Sequence, residues 1–378
     1  MSYAGRARLL VAVAFAAGCR TAPPLPQVVA WDEPGASGIV EDDEERALGE
    51  EARRGLADVD KAHLWFVDPR LDAYLASVLA RLRPGALPAA APDSEVRVVR
   101  SVDRQAGALA NGTIVITTSY LAALEDEAQL AGVLGHELAH VLGRDMLRRT
   151  RYAAVSHSTV ERMRLARSRE EAADRHGLEL MRRAGYDPRQ MVGALALIEA
   201  DDAATRSKIP QWESHPDVAD RLSTLRHEIG AVPESETVRG RERYEAAIVD
   251  VLVVAADDEL DARRLNRARL AIDRYLRIRP DSGQGYLRLA EWARLTERDG
   301  RRSALARRNY ERAVELAPDD PATVRALAVL YREDGDHERA RVLFAKYLRL
   351  AREAPDRRLV QRYLDEGNGS VQSDDGAR

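Results

Sequence analysis

The residues of this sequence best suited to chemistry lie in the short stretch HELAH. His136 and His140 are four residues apart, so on a helix they lie on the same side and both imidazoles can bind one metal ion. Glu137 follows the first histidine and would lie beside that metal. Zinc lowers the pKa of a bound water, and a neighbouring carboxylate that takes its proton yields a hydrolytic nucleophile. The spacing predicts a hydrolase with one zinc ion per chain, although a buried structural histidine pair would look the same.

A catalytic zinc ion needs a third protein ligand, because such sites combine three protein ligands with one water. The stretch SREEAADRHG, residues 168–177, offers four candidates: two adjacent glutamates, an aspartate and a histidine. Small and apolar residues at helical spacing define the buried face of a helix there, namely Ala173, Gly177, Leu180, Met181 and Ala184. At about 100° per residue, Glu170 lies roughly 40° from the centre of that face and Glu171 roughly 140° away. We therefore predict Glu170 as the ligand and Asp174, one turn later, as a hydrogen-bond acceptor for a ligating imidazole.

The elements around these residues predict an α+β fold that is predominantly helical. VRVVRSV and GTIVITTSYL are rich in Val, Ile and Thr and predict strands of a small sheet, joined through a segment with an Asn-Gly turn signal. A long helical zone from about residue 125 to residue 185 carries both HELAH and SREEAADRHG. The apolar residues that flank HELAH make its helix central to the domain.

The C-terminal third contains an internal repeat. AIDRYLRIRPD, NYERAVELAPDD and LFAKYLRLAREAPD align, and Ala306 and Ala340 are 34 residues apart, which is the tetratricopeptide period. Small residues where helices cross, with an aromatic residue and a proline in the second helix, suit stacked helix pairs. The pattern predicts an all-α tetratricopeptide (TPR) solenoid with pairs at about 242–279, 284–317 and 321–353, and a generic helical bundle is the alternative.

The N-terminus predicts export from the bacterial cytoplasm. Two arginines precede the apolar run LLVAVAFAAG, which has the length of a secretory signal and ends in AAGC, with the only cysteine of the chain at Cys19. AAGC resembles a bacterial lipobox, in which cleavage before the cysteine leaves that residue lipidated; an ordinary signal peptide with an incidental cysteine is the alternative. Because Arg20 replaces the aspartate that often retains lipoproteins in the inner membrane, we expect an outer-membrane lipoprotein that faces the periplasm.

Length and composition place these features in a chain of several domains. The 378 residues are 45% hydrophobic and 32% charged, which is typical of a folded, helix-rich protein, and the net charge of -4 argues against nucleic acid as the main partner. The predicted segments are a signal peptide at 1–18, the lipidated cysteine and a flexible tether at 19–40, a metallopeptidase domain at 41–232, the helical repeats at 240–365 and a disordered tail at 366–378.

The two motifs together resemble a known family. HELAH followed by EEAAD, with a glutamate four residues before an aspartate, is similar to the gluzincin metallopeptidases of the HtpX/BepA-like group, in the lipoprotein branch with a C-terminal TPR domain. The resemblance spans roughly residues 41–230 and also covers EERALGEEA, GTIVITTSYLAAL and SHPDVADRL. It departs in the sheet segment, where QAGALA replaces a common N-A-F-A-x-P, and this segment forms the edge at which an extended substrate can add as a strand.

The resemblance implies two further site residues and a set of partners. SHPDVADRL would bring His215 and Arg221 to the active-site cleft, where a donor or cation can stabilise the tetrahedral oxyanion. His215 can alternatively occupy the open position of zinc in an autoinhibited state, or be a surface residue. The alternative for Arg221 is an ordinary salt bridge. The implied substrates are misfolded or stalled envelope proteins, with the repeat domain recruiting them or contacting the outer-membrane assembly machinery. The lipid at the cysteine would supply the membrane contact.

The sequence thus favours a zinc-dependent endopeptidase of the cell envelope with Glu137 as general base. The main alternative is a TPR scaffold or chaperone whose metallopeptidase domain is autoinhibited or inactive. An intact Glu137 favours the enzyme, because a scaffold does not need a carboxylate at that position. A zinc hydrolase of another ester or amide is a weaker alternative, since nothing in the sequence indicates a small-molecule pocket.

Overall fold

The computed structural model describes residues 43–83, 93–155, 158–205, 218–230, 237–296 and 304–369. The chain divides into two compact units, Met1–Val251 and Leu252–Arg378. Helices dominate both units, and the strands within the described residues form one three-stranded sheet in the first unit. The predicted predominantly helical fold with a small β-sheet is confirmed. The signal peptide, Cys19, the tether and most of the tail lie outside the described residues, so their assignments stay predictions.

The helices of the first unit flank its sheet in the sequence. Two helices precede the sheet, α1 (Asp43–Lys61) and α2 (Pro69–Leu82). After the sheet come α3 (Thr118–Ala123), α4 (Glu127–Leu142), α5 (Asp145–Val155), α6 (Thr159–Arg183), α7 (Arg189–Thr205), α8 (Val218–Ile229), α9 (Arg241–Ala247) and α10 (Val249–Asp261), the last of which crosses the boundary between the units. HELAH therefore lies on α4, and SREEAADRHG lies on α6.

The sheet consists of β1 (Glu95–Val99), β2 (Ala106–Ala108) and β3 (Thr113–Thr117) in the order β1-β3-β2. The central strand pairs in parallel with β1 and antiparallel with β2. Its sequence TIVIT suits a central strand, because β-branched side chains pack well on a pleated surface. The turn predicted at Asn-Gly lies between β2 and β3, and Gly112 has the positive φ of 88° that this turn requires. β2 is thus an edge strand beside α4, which contacts it.

Helix α4 is the core of the first unit. Every residue from Glu127 to Leu142 is buried except His140, so the helix has no solvated face. Asp126 caps its N-terminus by accepting a hydrogen bond from the backbone N–H of Gln129 at 2.9 Å. A helix enclosed in this way holds its side chains in fixed positions, and His136, Glu137 and His140 are among them.

Residues 237–247 pack against earlier elements of the first unit. Val238 forms an isolated parallel bridge with Tyr186, and Arg239 donates to Asp126 at the start of α4 at 2.7 Å. Tyr244 is fully buried and its hydroxyl donates to the carbonyl of Leu121 at 2.6 Å. The compact first unit accordingly continues to Val251, beyond the predicted peptidase segment 41–232.

The second unit is a series of consecutive helices packed on their neighbours. They are α11 (Leu265–Ile278), α12 (Gly283–Thr296), α13 (Ala304–Leu316), α14 (Pro321–Glu333), α15 (His337–Leu350) and α16 (Arg357–Gly369). Alanines and aromatic residues form much of its core, including Ala290, Ala293, Ala306, Tyr310, Ala328, Ala340 and Phe344. Alanine at a helix crossing allows close packing, and the aromatic rings fill the space beside it. The predicted tail at 366–378 begins inside α16.

Within the described part of the chain, no helix combines the length and apolar character that a membrane crossing requires.

Candidate metal centre

The two histidines of α4 face the same point. His136 and His140 are one helical turn apart, and their Nε2 atoms are 3.1 Å from each other. The rings lie edge to face, with centroids 4.6 Å apart. Two imidazole nitrogens at this separation can both bind one metal ion but would otherwise gain little from facing each other.

Glu170 of α6 brings its carboxylate to the same point. Its Oε2 is 3.4 Å from Nε2 of His136, and its Oε1 is 3.4 Å from Nε2 of His140. The three residues form the one group of potential metal ligands found in the described residues, with ligand atoms all within 4.8 Å of one another. Of the four candidates in SREEAADRHG, the helix phase therefore selected the residue that meets the histidines. Glu171 is half-buried rather than fully solvated.

A close crossing of α4 and α6 makes this meeting possible. A Cβ added at Gly177 would lie 3.0 Å from the backbone nitrogen of His136, and one at Gly135 would lie 3.3 Å from the carbonyl oxygen of Gly177. Only glycine permits backbones to approach so closely. The crossing fixes the distance of Glu170 from the histidine pair, since Glu170 lies two turns before Gly177 on the same helix.

The geometry fits zinc. A tetrahedral zinc ion with bonds of about 2.0–2.1 Å keeps its ligand atoms about 3.3 Å apart. The ligand atoms of the three residues are 3.1, 3.4 and 3.4 Å apart. Two neutral imidazoles and one carboxylate also form the donor set of catalytic zinc sites, which leave a fourth position for water. His136, His140 and Glu170 would hold the ion.

Asp174 and Arg221 orient the first histidine. Asp174 Oδ1 lies 3.0 Å from Nδ1 of His136, which turns Nε2 toward the metal position. Arg221 of α8 donates from Nε and Nη2 to the two oxygens of Asp174, at 2.8 and 2.7 Å. Burial raises the pKa of the Asp174 carboxyl, but the hydrogen bonds from Arg221 and His136 outweigh burial and hold it at about 2. Asp174 is therefore a permanent anion at neutral pH.

Arg221 also contacts a metal ligand directly. Its Nη1 is 2.7 Å from Oε2 of Glu170, and its side chain is only 4% exposed. The guanidinium thus spans the two carboxylates of α6, and this arrangement favours holding Glu170 in place over donating to a substrate oxyanion. The sequence prediction placed Arg221 at the site, and the structure does so too. His215, predicted with it, lies outside the described residues.

Asp145 is a site residue that sequence reasoning missed. Its Oδ2 is 2.7 Å from Nδ1 of His140, so each histidine has its own carboxylate on the ring nitrogen that faces away from the metal position. Burial lowers the pKa of His140, but the hydrogen bonds to Asp145 and Glu170 outweigh burial and raise it well above its ordinary value. The only sequence signal was an aspartate five residues after the second histidine, in HELAHVLGRD.

Glu137 is placed for proton transfer. It is 4% exposed and follows His136 in the same turn of α4. Among the described residues, no hydrogen bond or ion pair engages its carboxylate, whereas Glu170, Asp174 and Asp145 are all engaged. A carboxylate without a partner at the edge of a zinc position is available to a water molecule.

This set of residues defines the class of protein: two histidines one turn apart and a glutamate from a second helix form a gluzincin-type zinc site. The family model of peptidase family M48 matches residues 69–163 and 152–229, which include the metal-ligand positions and Arg221. No curated protein matches the chain. The protein is therefore a metallopeptidase, a hydrolase of peptide bonds, and zinc is its cofactor.

Proposed function

We propose that the protein is a zinc-dependent endopeptidase of the bacterial cell envelope that degrades misfolded or stalled envelope proteins. The observation that carries the catalytic part is the buried, unengaged carboxylate of Glu137 beside three residues that fit zinc. When bound, zinc acidifies a water and polarises the scissile carbonyl. Glu137 would take a proton from the attacking water on a carboxylate oxygen as the water oxygen bonds to the carbonyl carbon, and would pass that proton to the amine nitrogen as the C–N bond breaks.

The other residues of the centre keep the ligands in place during this proton transfer. Asp174 and Asp145 fix the ring orientation of His136 and His140, and Arg221 fixes the carboxylate of Glu170. Because these contacts are buried, the ligands do not reorganise when charge develops on the substrate, which is the condition for electrostatic catalysis.

The sheet supplies a place for an extended polypeptide. β2 is an edge strand, and α4 with its metal ligands contacts it. Backbone groups on the outer edge of β2 can pair with a substrate strand, and this pairing needs no particular side chain. Such recognition suits an endopeptidase that acts on unfolded chains of varied sequence. All three residues of this strand are small, so no large side chain projects from it.

The second unit is, in this proposal, a TPR-like solenoid that recruits substrates or binds the outer-membrane assembly machinery. The sequence repeat and the consecutive packing of α11 to α16 around buried alanines support it. The lipobox-like AAGC ending in Cys19 supports a lipid anchor in the outer membrane, facing the periplasm. Unchanged processing and membrane partition in Cys19→Ala would contradict the proposed lipid anchor.

Purified protein incubated with casein or a misfolded outer-membrane protein tests the proposed activity, with Glu137→Gln as the variant. We expect cleavage within chains by the wild type and a loss of about 10²–10⁴-fold in the variant, with zinc content unchanged. Equal turnover by both forms would remove Glu137 from its role. No turnover by a zinc-loaded wild type would favour a scaffold with an inactive peptidase domain.

A further inference from the structure

Asp145, the aspartate that faces His140, directly follows a tight turn at the end of α4. Helix α4 ends at Leu142, Gly143 follows, and Arg144 has a left-handed backbone with φ 51° before α5 begins at Asp145. A Cβ at position 143 would lie 3.3 Å from Oδ1 of Asp145, so the carboxylate passes close to the glycine as it turns back to the ring. An arginine in this region is uncommon, because its Cβ comes too close to the following carbonyl oxygen, and the surroundings must offset that strain.

An ion pair with α1 holds that arginine. Arg144 donates from Nε to Oε1 of Glu45 at 2.7 Å and from Nη2 to Oε2, so the pair is bidentate. The two side chains are only 14% and 12% exposed, and water therefore screens the pair little. Glu45 lies in the first turn of α1, 99 residues before Arg144 in the chain.

A hydrogen bond and a shared pocket also connect the same turn to the site. Arg169, the neighbour of Glu170, donates from Nη1 to the backbone carbonyl of Asp145 at 2.6 Å. A small pocket of about 30 Å³, partly open to solvent, lies between α1, the end of β2 and the turn, and Glu45, His140 and Asp145 are among its lining residues. The first turn of α1 thus lies beside the metal ligand itself.

We propose that Glu45 is a positioning residue of the zinc centre. By clamping Arg144 in its left-handed conformation, Glu45 fixes the turn that aims Asp145 at Nδ1 of His140, and so keeps Nε2 of His140 directed at the metal. The docking of α1 then controls zinc affinity. This inference rests on the zinc site of the proposed function, but it does not depend on the substrate or on the cellular location.

The competing explanation is that the ion pair merely fastens α1 to the domain. The chain offers a matched control, because Glu44 in the same turn of α1 accepts a hydrogen bond from Nε of Arg151 on α5 at 2.7 Å. Glu44→Gln removes an α1–α5 ion pair without touching the turn at Arg144. If fastening α1 were the whole effect, Glu44→Gln and Glu45→Gln would change zinc binding alike.

The test measures zinc affinity of the full chain by competition with a chromophoric chelator, in the absence of substrate. We expect Asp145→Asn to weaken zinc binding by about 10–100-fold, Glu45→Gln by about tenfold, and Glu44→Gln by less than about twofold. Since Glu45 acts through Asp145, the double variant Glu45→Gln/Asp145→Asn should bind zinc about as weakly as Asp145→Asn alone. The visible absorption of the cobalt-substituted protein should shift in the first two variants and not in Glu44→Gln.

Circular dichroism and the thermal midpoint of the metal-free protein separate this effect from unfolding. If Glu45→Gln does not fold, Arg144→Gly replaces it, because glycine adopts the positive φ freely but has no guanidinium to bind Glu45. We expect Arg144→Gly to weaken zinc binding as well. Wild-type affinity in Glu45→Gln or Arg144→Gly, equal losses in Glu44→Gln and Glu45→Gln, or additive losses in the double variant would each overturn the proposal. Failure to cleave casein would leave it standing, since zinc binding is measured alone.

Discussion

The zinc centre of the first unit and the core of the second unit are built on opposite principles. The centre brings buried charges together from α4, α5, α6 and α8, and every charge except that of Glu137 has a defined partner. The second unit packs alanines and aromatic rings between neighbouring helices, and its ion pairs are largely half-exposed. A buried charge that loses its partner is strongly destabilised, whereas a half-exposed pair contributes little. The first unit should therefore respond sharply to single changes of charge, and the second unit mildly.

The largest contrast is expected at Arg221. Arg221→Met leaves the carboxylates of Glu170 and Asp174 buried without their cation, so the first unit should lose about 3–5 kcal/mol of unfolding free energy. Denaturant unfolding of the metal-free protein measures the loss. Arg226→Met on the same helix is the control, because Arg226 is exposed. A loss no larger than that of Arg226→Met would contradict the account of the buried pair.

A pair of glycine substitutions tests whether zinc affinity depends on the crossing of α4 and α6. In Gly177→Ala the new Cβ would lie 3.0 Å from the nitrogen of His136, so α6 must shift and Glu170 with it. In Gly283→Ala the Cβ would lie 2.7 Å from the carbonyl of Ala313 in the second unit. Each change should destabilise its own unit by about 1–3 kcal/mol.

Only Gly177→Ala should weaken zinc binding, as measured by chelator competition. If Gly283→Ala weakened it equally, or if Gly177→Ala left it unchanged, the crossing would not be what sets the position of Glu170.

The smallest effect is expected at Asp356 in the second unit. Burial raises the pKa of its carboxyl, but hydrogen bonds from Tyr347 and Arg325 outweigh burial and lower it. The carboxylate therefore stabilises the unit above the ordinary Asp pKa of about 4, and this contribution disappears as pH falls through the lowered pKa. Asp356→Asn should remove that part of the acid dependence of the thermal midpoint and leave zinc affinity unchanged. An unaltered pH profile of the midpoint in Asp356→Asn would show that the pair does not contribute.

Most of the metal-site residues could be predicted from the sequence, because the side of a helix on which a residue lies depends only on local spacing. The i, i+4 spacing placed His136 and His140 together, and the buried face of the second helix selected Glu170 with Asp174 one turn away. Asp145 and Glu45 were missed because their contacts depend on a left-handed arginine and on a pairing across 99 residues, neither of which has a periodic signature. The close crossing at Gly135 and Gly177 could not be predicted either, because a glycine within a helix does not indicate which segment packs against it.

For the fold as well, features that depend on local sequence were predicted, and features that depend on long-range contacts were not. The helix-rich composition, the two β-branched strands and the Asn-Gly turn could be predicted, and the small sheet is confirmed. Its third strand, β2, lies in the segment predicted to join the other two, and the end of GTIVITTSYL is helical instead of extended. The sequence did not predict the parallel pairing of β1 with β3. It also did not predict that residues 237–247 pack within the first unit. Both depend on pairing between segments that are not adjacent in the sequence.

The central claim is that Glu170 completes the zinc site, and the coordination shell of the bound metal tests it most directly. X-ray absorption of the zinc-loaded protein should show two imidazole nitrogens and a carboxylate oxygen at about 2.0–2.2 Å. Metal analysis should find one zinc per chain in the wild type and in Glu171→Ala, and a loss of zinc in Glu170→Ala. Zinc retained in Glu170→Ala but lost in Glu171→Ala would contradict the helix phase and the arrangement of the site described above.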